Sequence, residues 1–176
     1  MNIIAFTGAK TVGKTTVAKA LQKRIEGSHV LSFATPLKAM ASALGIPSEY
    51  IDVNKEETIP SICVSSRELL CSLGTDWGRN FLGQDVWVKF LELRANQLDP
   101  DCTIIIDDLR FNNEAEWVLQ NGGIVFKLTR EGKDYDYSHV TERPIRDELI
   151  LYIADCDNVD ECVEAVFCIH ELQTDG

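Results

Sequence analysis

The chain has 176 residues, enough for one domain with a full core, and its 45% apolar and 26% charged composition is that of a globular protein. A net charge of −11 argues against a nucleic acid polymer as partner, and no apolar run approaches the length of a membrane span. The short apolar N-terminus has no basic segment before it and does not read as a signal peptide, and the six cysteines show neither C-x-x-C nor zinc spacing, so they read as reduced packing thiols of a cytoplasmic protein.

In chain order, Ile3-Ile4-Ala5-Phe6 reads as a buried strand. It leads into Gly8-Ala9-Lys10-Thr11-Val12-Gly13-Lys14-Thr15, which fits G-x-x-x-x-G-K-[ST], the Walker A phosphate-binding loop. A helix over 16–25 follows, with Val17, Leu21 and Ile25 on one face. The motif therefore lies between a strand and a helix N-terminus, where its glycines let backbone N–H groups and the helix dipole point at an anion. Gly8, Lys10, Thr11, Val12, Gly13, Lys14, Thr15 and Thr16 are the expected phosphate contacts. Lys14 reaches toward the β/γ-phosphates and the Thr15 hydroxyl toward Mg²⁺.

A second strand is expected over 29–33, and Thr35-Pro36 starts a short helix that ends at Gly45-Ile46-Pro47. Residues 47–64 are polar with weak periodicity and read as a mobile excursion. Ser65-Ser66-Arg67-Glu68 is a capping box that opens a helix to about Ser72, with Gly74 as its expected C-terminal cap. Asp85 caps a helix to about Leu98 that shows Val86, Phe90 and Leu93 on one face, and Asp99-Pro100-Asp101 turns. Thr103-Ile104-Ile105-Ile106 reads as a buried parallel strand ending in Asp107-Asp108. Asn112 or Asn113 caps a helix to about Gln120, a strand runs over 124–128, and a last strand is expected over 149–154. Asp157 or Asn158 caps a final helix over about 159–172. Strands alternating with helices predict an α/β fold, a parallel five-stranded sheet with helices on both faces and a ligand at the carboxyl ends of the strands.

That edge collects the chemistry. An acid closing a strand beside a Walker A loop is the Walker B arrangement, and spacing leaves open whether Asp107 or Asp108 faces the metal. Arg110 is placed to fork onto a phosphate or to pair with Glu114 at the surface. Lys38, Arg67 and Arg79 are further cations, and Trp77, Phe81 and Trp87 are either core or a stacking wall for a base. The charged stretch 129–146, with Arg130, Lys133, His139, Glu142, Arg143 and Arg146, reads either as a lid closing over transferring phosphate oxygens or as a plain loop. The three histidines lack ligand spacing, and no Ser/His/Asp or Cys/His set has a nucleophile context.

Several segments, taken together, resemble the deoxynucleoside monophosphate kinases of tailed bacteriophages. They are the Walker A loop, Phe33-Ala34-Thr35-Pro36-Leu37-Lys38, Arg67-Glu68-Leu69-Leu70, Gly74-Thr75-Asp76-Trp77-Gly78-Arg79 and Asp85-Val86-Trp87, followed by Asp107-Asp108-Leu109-Arg110-Phe111, Gly122-Gly123, Arg130 and His139-Val140-Thr141-Glu142. The resemblance implies a single P-loop kinase domain over 1–176, with a helical acceptor-binding region over about 35–100 and a lid over about 129–146. It implies ATP with Mg²⁺ as donor and a deoxynucleoside monophosphate as acceptor. It implies that Gly8–Thr16 binds ATP phosphates, that Arg67, Arg79 and the Asp107–Arg110 turn face the acceptor and that Arg130 belongs to the lid; with the reading of the residues, Lys14, Arg110 and Arg130 are the expected catalytic groups and Lys38, Arg67, Trp77, Arg79, Trp87, Asp107 and Arg110 the expected acceptor contacts. Thr15, Asp107 and Asp108 go to the metal. Thr15 departs from the family, in which many members carry an Asp after the loop lysine, and residues 155–158 stand where the family often has an Asn near adenine. The alternatives are a kinase for another phosphorylated acceptor, such as dephospho-coenzyme A, and a nucleotide-dependent switch. The chain has no Asn-Lys-x-Asp tetrad for guanine. A homodimer is left open, as are the accepted bases and a steric gate against the 2′-hydroxyl by Trp77, Phe81 or Tyr50.

Overall fold

The computed structural model describes residues 2–135 and 143–174. In chain order the elements are β1 (Asn2–Thr7), α1 (Lys14–Arg24), β2 (His29–Leu31), α2 (Thr35–Ala43), β3 (Thr58–Ile59), β4 (Val64–Ser65), α3 (Ser66–Ser72), α4 (Val86–Ala95), β5 (Thr103–Ile106), α5 (Asn112–Gln120), β6 (Ile124–Thr129), β7 (Tyr152–Asp155) and α6 (Val159–Thr174). Glu49–Val53 and Leu73–Leu82 are π-helical, and Asp147–Leu149 is a 3-10 turn. The chain divides into two units, Met1–Ser32 with Leu91–Gly176, and Phe33–Phe90.

The first unit is built on a parallel sheet of order β2-β5-β1-β6-β7. Its central strands have no polar face. Ile3, Ile4, Ala5 and Phe6 of β1 and all of β5 are buried, as a sheet covered on both sides requires. One face carries Ile4, Phe6, Ile105, Phe126 and Leu128 against Val17, Ala18 and Leu21 of α1 and Cys162, Val163 and Val166 of α6. Each fully buried valine, leucine, isoleucine or phenylalanine among them stabilises the fold by about 1.5–3 kcal/mol relative to exposure. On the other face α5 packs on β1 and β6. A Cβ on Gly123 would lie 2.7 Å from Ile3 Cβ, 2.8 Å from Val118 Cγ1 and 2.9 Å from the Ile3 carbonyl, so helix and strand meet there as closely as glycine allows.

The second unit has a small core of Ala41, Ile46, Ile51 and Ile59, joined by Tyr50, Leu69 and Leu70. Segment 47–64, expected to be an excursion without structure, instead holds a π-helical turn and the antiparallel β3–β4 hairpin. Ile51 and Ile59 anchor it, a signal too sparse to show as periodicity. The capping box forms as expected: Ser65 Oγ accepts the Glu68 N–H, and the Glu68 carboxylate accepts the Ser65 N–H at 2.8 Å. Those hydrogen bonds hold the Glu68 carboxyl below its ordinary value. Gly74 is not a cap. Winding continues through it to Leu82, because the Gly74 carbonyl is occupied by the Trp87 indole N–H at 2.8 Å.

Other expectations shift by a few residues. β2 stops at Leu31, β7 starts at Tyr152 and α4 stops at Ala95. The buried face of α4 is Trp87, Val88, Leu91 and Ala95, whereas Phe90 and Leu93 are exposed. The cap position of α5 is Phe111 in place of Asn112 or Asn113, because Glu114 turns back to accept the Arg110 and Phe111 N–H groups. Asn158 is the residue that caps α6, accepting the Asp160 N–H at 3.0 Å.

Gly123→Ala is expected to destabilise the fold by about 1–3 kcal/mol through overpacking, read as a lower urea midpoint. Near the end of α6, His170 is buried, with its Nε2 3.5 Å from Thr103 Oγ1, and burial pushes its imidazole below the ordinary value. The folded chain therefore takes up this proton at lower pH than the unfolded chain does. Stability present above pH 6.5 should fall as the pH drops through 6.5, then level off below the folded-state value. Urea midpoints between pH 8 and pH 5 test this, and His170→Gln should flatten the profile.

Candidate active site

β1 delivers the chain to Gly8, where φ is +139° and a Cβ would lie 2.5 Å from the Leu128 carbonyl oxygen, so only glycine fits. Val12, fully buried in the core cluster, pins the loop to the sheet. Thr11 is left-handed at φ 63°, a costly conformation for a β-branched residue and the kind of strain found at functional sites. Gly13 takes the N-cap position of α1 with no side-chain cap, and the first turn carries no acid. The positive helix end is thus presented by backbone alone, as an anion site requires. Lys14 folds back over the loop and donates from Nζ to the carbonyls of Gly8 at 2.7 Å and Ala9 at 2.8 Å. Lys10 and Thr16 lie exposed beside it.

Asp107 is the residue after β5. Its Oδ2 accepts the Thr15 hydroxyl at 2.8 Å, and its Oδ1 accepts the Ser32 hydroxyl at 2.5 Å. Of the two aspartates that spacing leaves open, Asp107 is the one in contact with Thr15; Asp108 is half-buried next to it. Thr15 and Asp107 together are a hard-oxygen pair joined across the phosphate loop, a donor set that fits Mg²⁺ completed by phosphate oxygens and water. Ser32 carried no motif. Its signal is positional, one residue beyond β2 as Asp107 is one beyond β5.

Arg110 lies in the loop after β5 and Arg130 directly follows β6, both in the first unit. Arg110 is half-buried, and its backbone N–H donates to Glu114 at 2.8 Å. Glu114 is not the surface partner considered from sequence: it is 2% exposed and its carboxylate sits at the start of α5. Arg130 donates from Nε at 2.9 Å and from a terminal nitrogen at 2.5 Å to the Cys156 carbonyl. Cys156 in turn borders the phosphate loop, with its Cβ 4.0 Å from where a Gly13 Cβ would stand. Its thiol touches that of Cys162 at 2.7 Å, and hydrogen bonding to Cys156 together with burial pushes the Cys162 thiol up.

Of the expected lid, residues 136–142, including His139 and Glu142, lie outside the described residues. At its C-terminal end Ile145 is buried, and Arg146 bonds Asn112 through its N–H at 2.9 Å and Glu116 through its guanidinium. That end is therefore tied to α5.

Within the second unit, Lys38 donates to Asp52 at 2.8 Å and holds that carboxyl below its ordinary value. Arg67 pairs with Glu56 at 2.5 Å. Arg79 is 6% exposed, donates to the Gln84 carbonyl at 3.0 Å and receives the Gln84 amide on its own carbonyl at 3.2 Å. Trp87, read from sequence as either core or part of a stacking wall, is packed in the core. It is 3% exposed, and its ring lies so close over Gly78 that a Cβ there would approach to 2.3 Å. Of the three aromatics weighed as a wall, Trp77 and Phe81 are exposed, at 41% and 77%.

The model of the family described as deoxynucleotide monophosphate kinase matches residues 49–159. A protein of Acanthamoeba polyphaga mimivirus that bears the provisional name deoxynucleotide monophosphate kinase is 30% identical over 161 residues, covering 83% of this chain and 83% of that protein. The deoxynucleoside-5'-monophosphate kinase of Escherichia phage T5 is 37% identical over 126 residues, covering 72% of this chain and 46% of the phage protein. The fold is similar to that of the Deinococcus radiodurans tunicamycin resistance protein, with a TM-score of 0.50 at 15% identity over 94% of this chain and 92% of that one. The chain belongs to the deoxynucleotide monophosphate kinase family.

Proposed function

We propose that this chain transfers the γ-phosphoryl group of ATP to a deoxynucleoside monophosphate, in the cytoplasm of a host cell. The observation that carries this reading is the Thr15–Asp107 hydrogen bond at 2.8 Å beside Lys14, which brings a Walker A hydroxyl and a Walker B carboxylate into contact. Phosphoryl transfer asks the protein mainly to position the reactants and to stabilise charge. The uncapped start of α1 and Lys14 serve the donor phosphates. Lys14 then exchanges its bonds to the Gly8 and Ala9 carbonyls for phosphate oxygens, which carry more charge. Thr15 and Asp107 hold Mg²⁺, which when bound neutralises phosphate charge. Arg130 and Arg110, on loops at the carboxyl ends of β6 and β5, neutralise the transferring group.

The acceptor reading rests on the second unit, Phe33–Phe90, as a helical acceptor-binding region. Lys38 and Arg67 supply charge for the acceptor phosphate, and their present partners Asp52 and Glu56 are exposed carboxylates that a dianionic phosphate outcompetes. Exposed Trp77 offers a flat apolar face for a base. Buried Arg79 and Trp87 support that wall from behind through the Gln84 and Gly74 bonds.

A coupled assay of ADP release, run with each deoxy- and ribonucleoside monophosphate, tests the reading. Release that does not depend on any acceptor would make the protein an ATPase and end the proposal. Lys14→Ala should lower kcat by at least about 100-fold while the chain still folds and unfolds cooperatively on heating. Arg67→Gln should raise the acceptor KM by about ten-fold or more and leave the ATP KM unchanged, as loss of one charge-assisted hydrogen bond implies.

A further inference from the structure

The parallel sheet places Asp107 between two hydroxyl groups. β2 and β1 flank β5 on opposite sides, with Leu31 and Ala5 both level with Ile106. The next residue on β2 is Ser32 and the next on β5 is Asp107, so their side chains emerge side by side. The loop after β1 brings Thr15 to the other side. The carboxylate is buried, and each of its oxygens accepts one hydroxyl hydrogen bond, Oδ1 from Ser32 at 2.5 Å and Oδ2 from Thr15 at 2.8 Å. Ser32 is itself fixed: the guanidinium of Arg94, in the last turn of α4, donates to its carbonyl oxygen at 3.0 Å.

An aspartate turns easily about its last side-chain torsion, which has a broad, roughly two-fold profile. A carboxylate with one oxygen tethered has lost that freedom and keeps its other oxygen aimed one way. Outer hydrogen bonds of this kind orient metal ligands in general, and their loss weakens metal affinity by about 10–100-fold. We propose that Ser32 is a positioning residue for the metal site. Its hydroxyl locks the Asp107 carboxylate so that Oδ2 faces Thr15, and Arg94 holds the Ser32 backbone in register. Ser32 thereby sets affinity for the divalent cation and not for the nucleotide as such. This rests on the kinase reading above.

The test is binding of ADP by isothermal titration calorimetry, once with Mn²⁺ and once with EDTA, supplemented by electron paramagnetic resonance of bound Mn²⁺. Ser32→Ala should weaken binding of Mn²⁺·ADP by about ten-fold or more and leave metal-free ADP within about two-fold of wild type. Ser32→Thr, which keeps the hydroxyl, should restore Mn²⁺·ADP binding to within about two-fold of wild type. Arg94→Gln should give a smaller loss of the same metal-selective kind. If Ser32→Ala does not fold, Ser32→Cys, nearly isosteric with a weak donor, must show the metal-selective loss. Equal weakening with and without metal, or no weakening, overturns the role of Ser32. Failure of the wild type to bind ADP in either condition overturns the kinase reading with it.

Discussion

Four register pairs between β1 and β5, from Asn2 opposite Thr103 to Ala5 opposite Ile106, hold the two halves of the phosphate site at the same height. The Walker A loop and Asp107 are about ninety residues apart in the chain, and neither has a local means of finding the other. A slip of one residue would turn every side chain of a strand to the opposite face and carry Asp107 away from Thr15. Burial of both faces prevents the slip. Ile3, Ile4, Ala5 and Phe6 meet apolar partners above and below, so any other register would expose some of them or bury charge. The apolar core is in this sense part of the active site, because it fixes to within an ångström which carboxylate a loop hydroxyl can reach.

The loop itself is strained, and its neighbours hold it there. Thr11 is left-handed, Gly8 is pressed against the Leu128 carbonyl and Gly13 opens α1 without a side-chain cap. A short surface turn would relax out of these conformations. Here Val12 is locked in the core, and Lys14 ties down the Gly8 and Ala9 carbonyls from above. Strain of this kind persists only where surrounding contacts over-determine it. The same contacts leave the helix N-terminus ready for an anion before any ligand arrives, which lowers the ordering cost on binding.

Much of the first unit was legible from local patterns. Walker A, the apolar runs of β1 and β5 and the capping box at Ser65 each follow from residues within a few positions of one another, so the strand, the loop and the helix start could be placed. Failures cluster where a specific contact overrides a local preference. Gly74 has the chemistry of a helix cap, yet its carbonyl is taken by the Trp87 indole and the winding runs on to Leu82. Phe90 and Leu93 follow helical spacing with Val86, yet the buried stripe of α4 is rotated onto Trp87, Leu91 and Ala95. Asn112 and Asn113 are better caps than Phe111, yet Glu114 reaches back and moves the helix start. For Gly74 the partner is thirteen residues away and for Phe111 only three, and in both the contact outweighs a few tenths of a kcal/mol of propensity.

For the phosphate site the division is sharper. The order of residues alone led to the expectation of an anion site between β1 and α1 with Lys14 and Thr15 facing it, and of an acid closing the neighbouring apolar strand. Those statements concern atoms a few bonds apart, and glycine, lysine and hydroxyl chemistry dictates them wherever the motif occurs. Only the tertiary structure shows that Asp107 is in contact with Thr15, that Ser32 shares its carboxylate, that Arg130 rests on the Cys156 carbonyl and that Trp87 is buried in packing. Adjacent aspartates on an extended strand end point to opposite faces, and which face meets the loop depends on parallel register. Register is a property of the whole packed sheet, not of any segment within it.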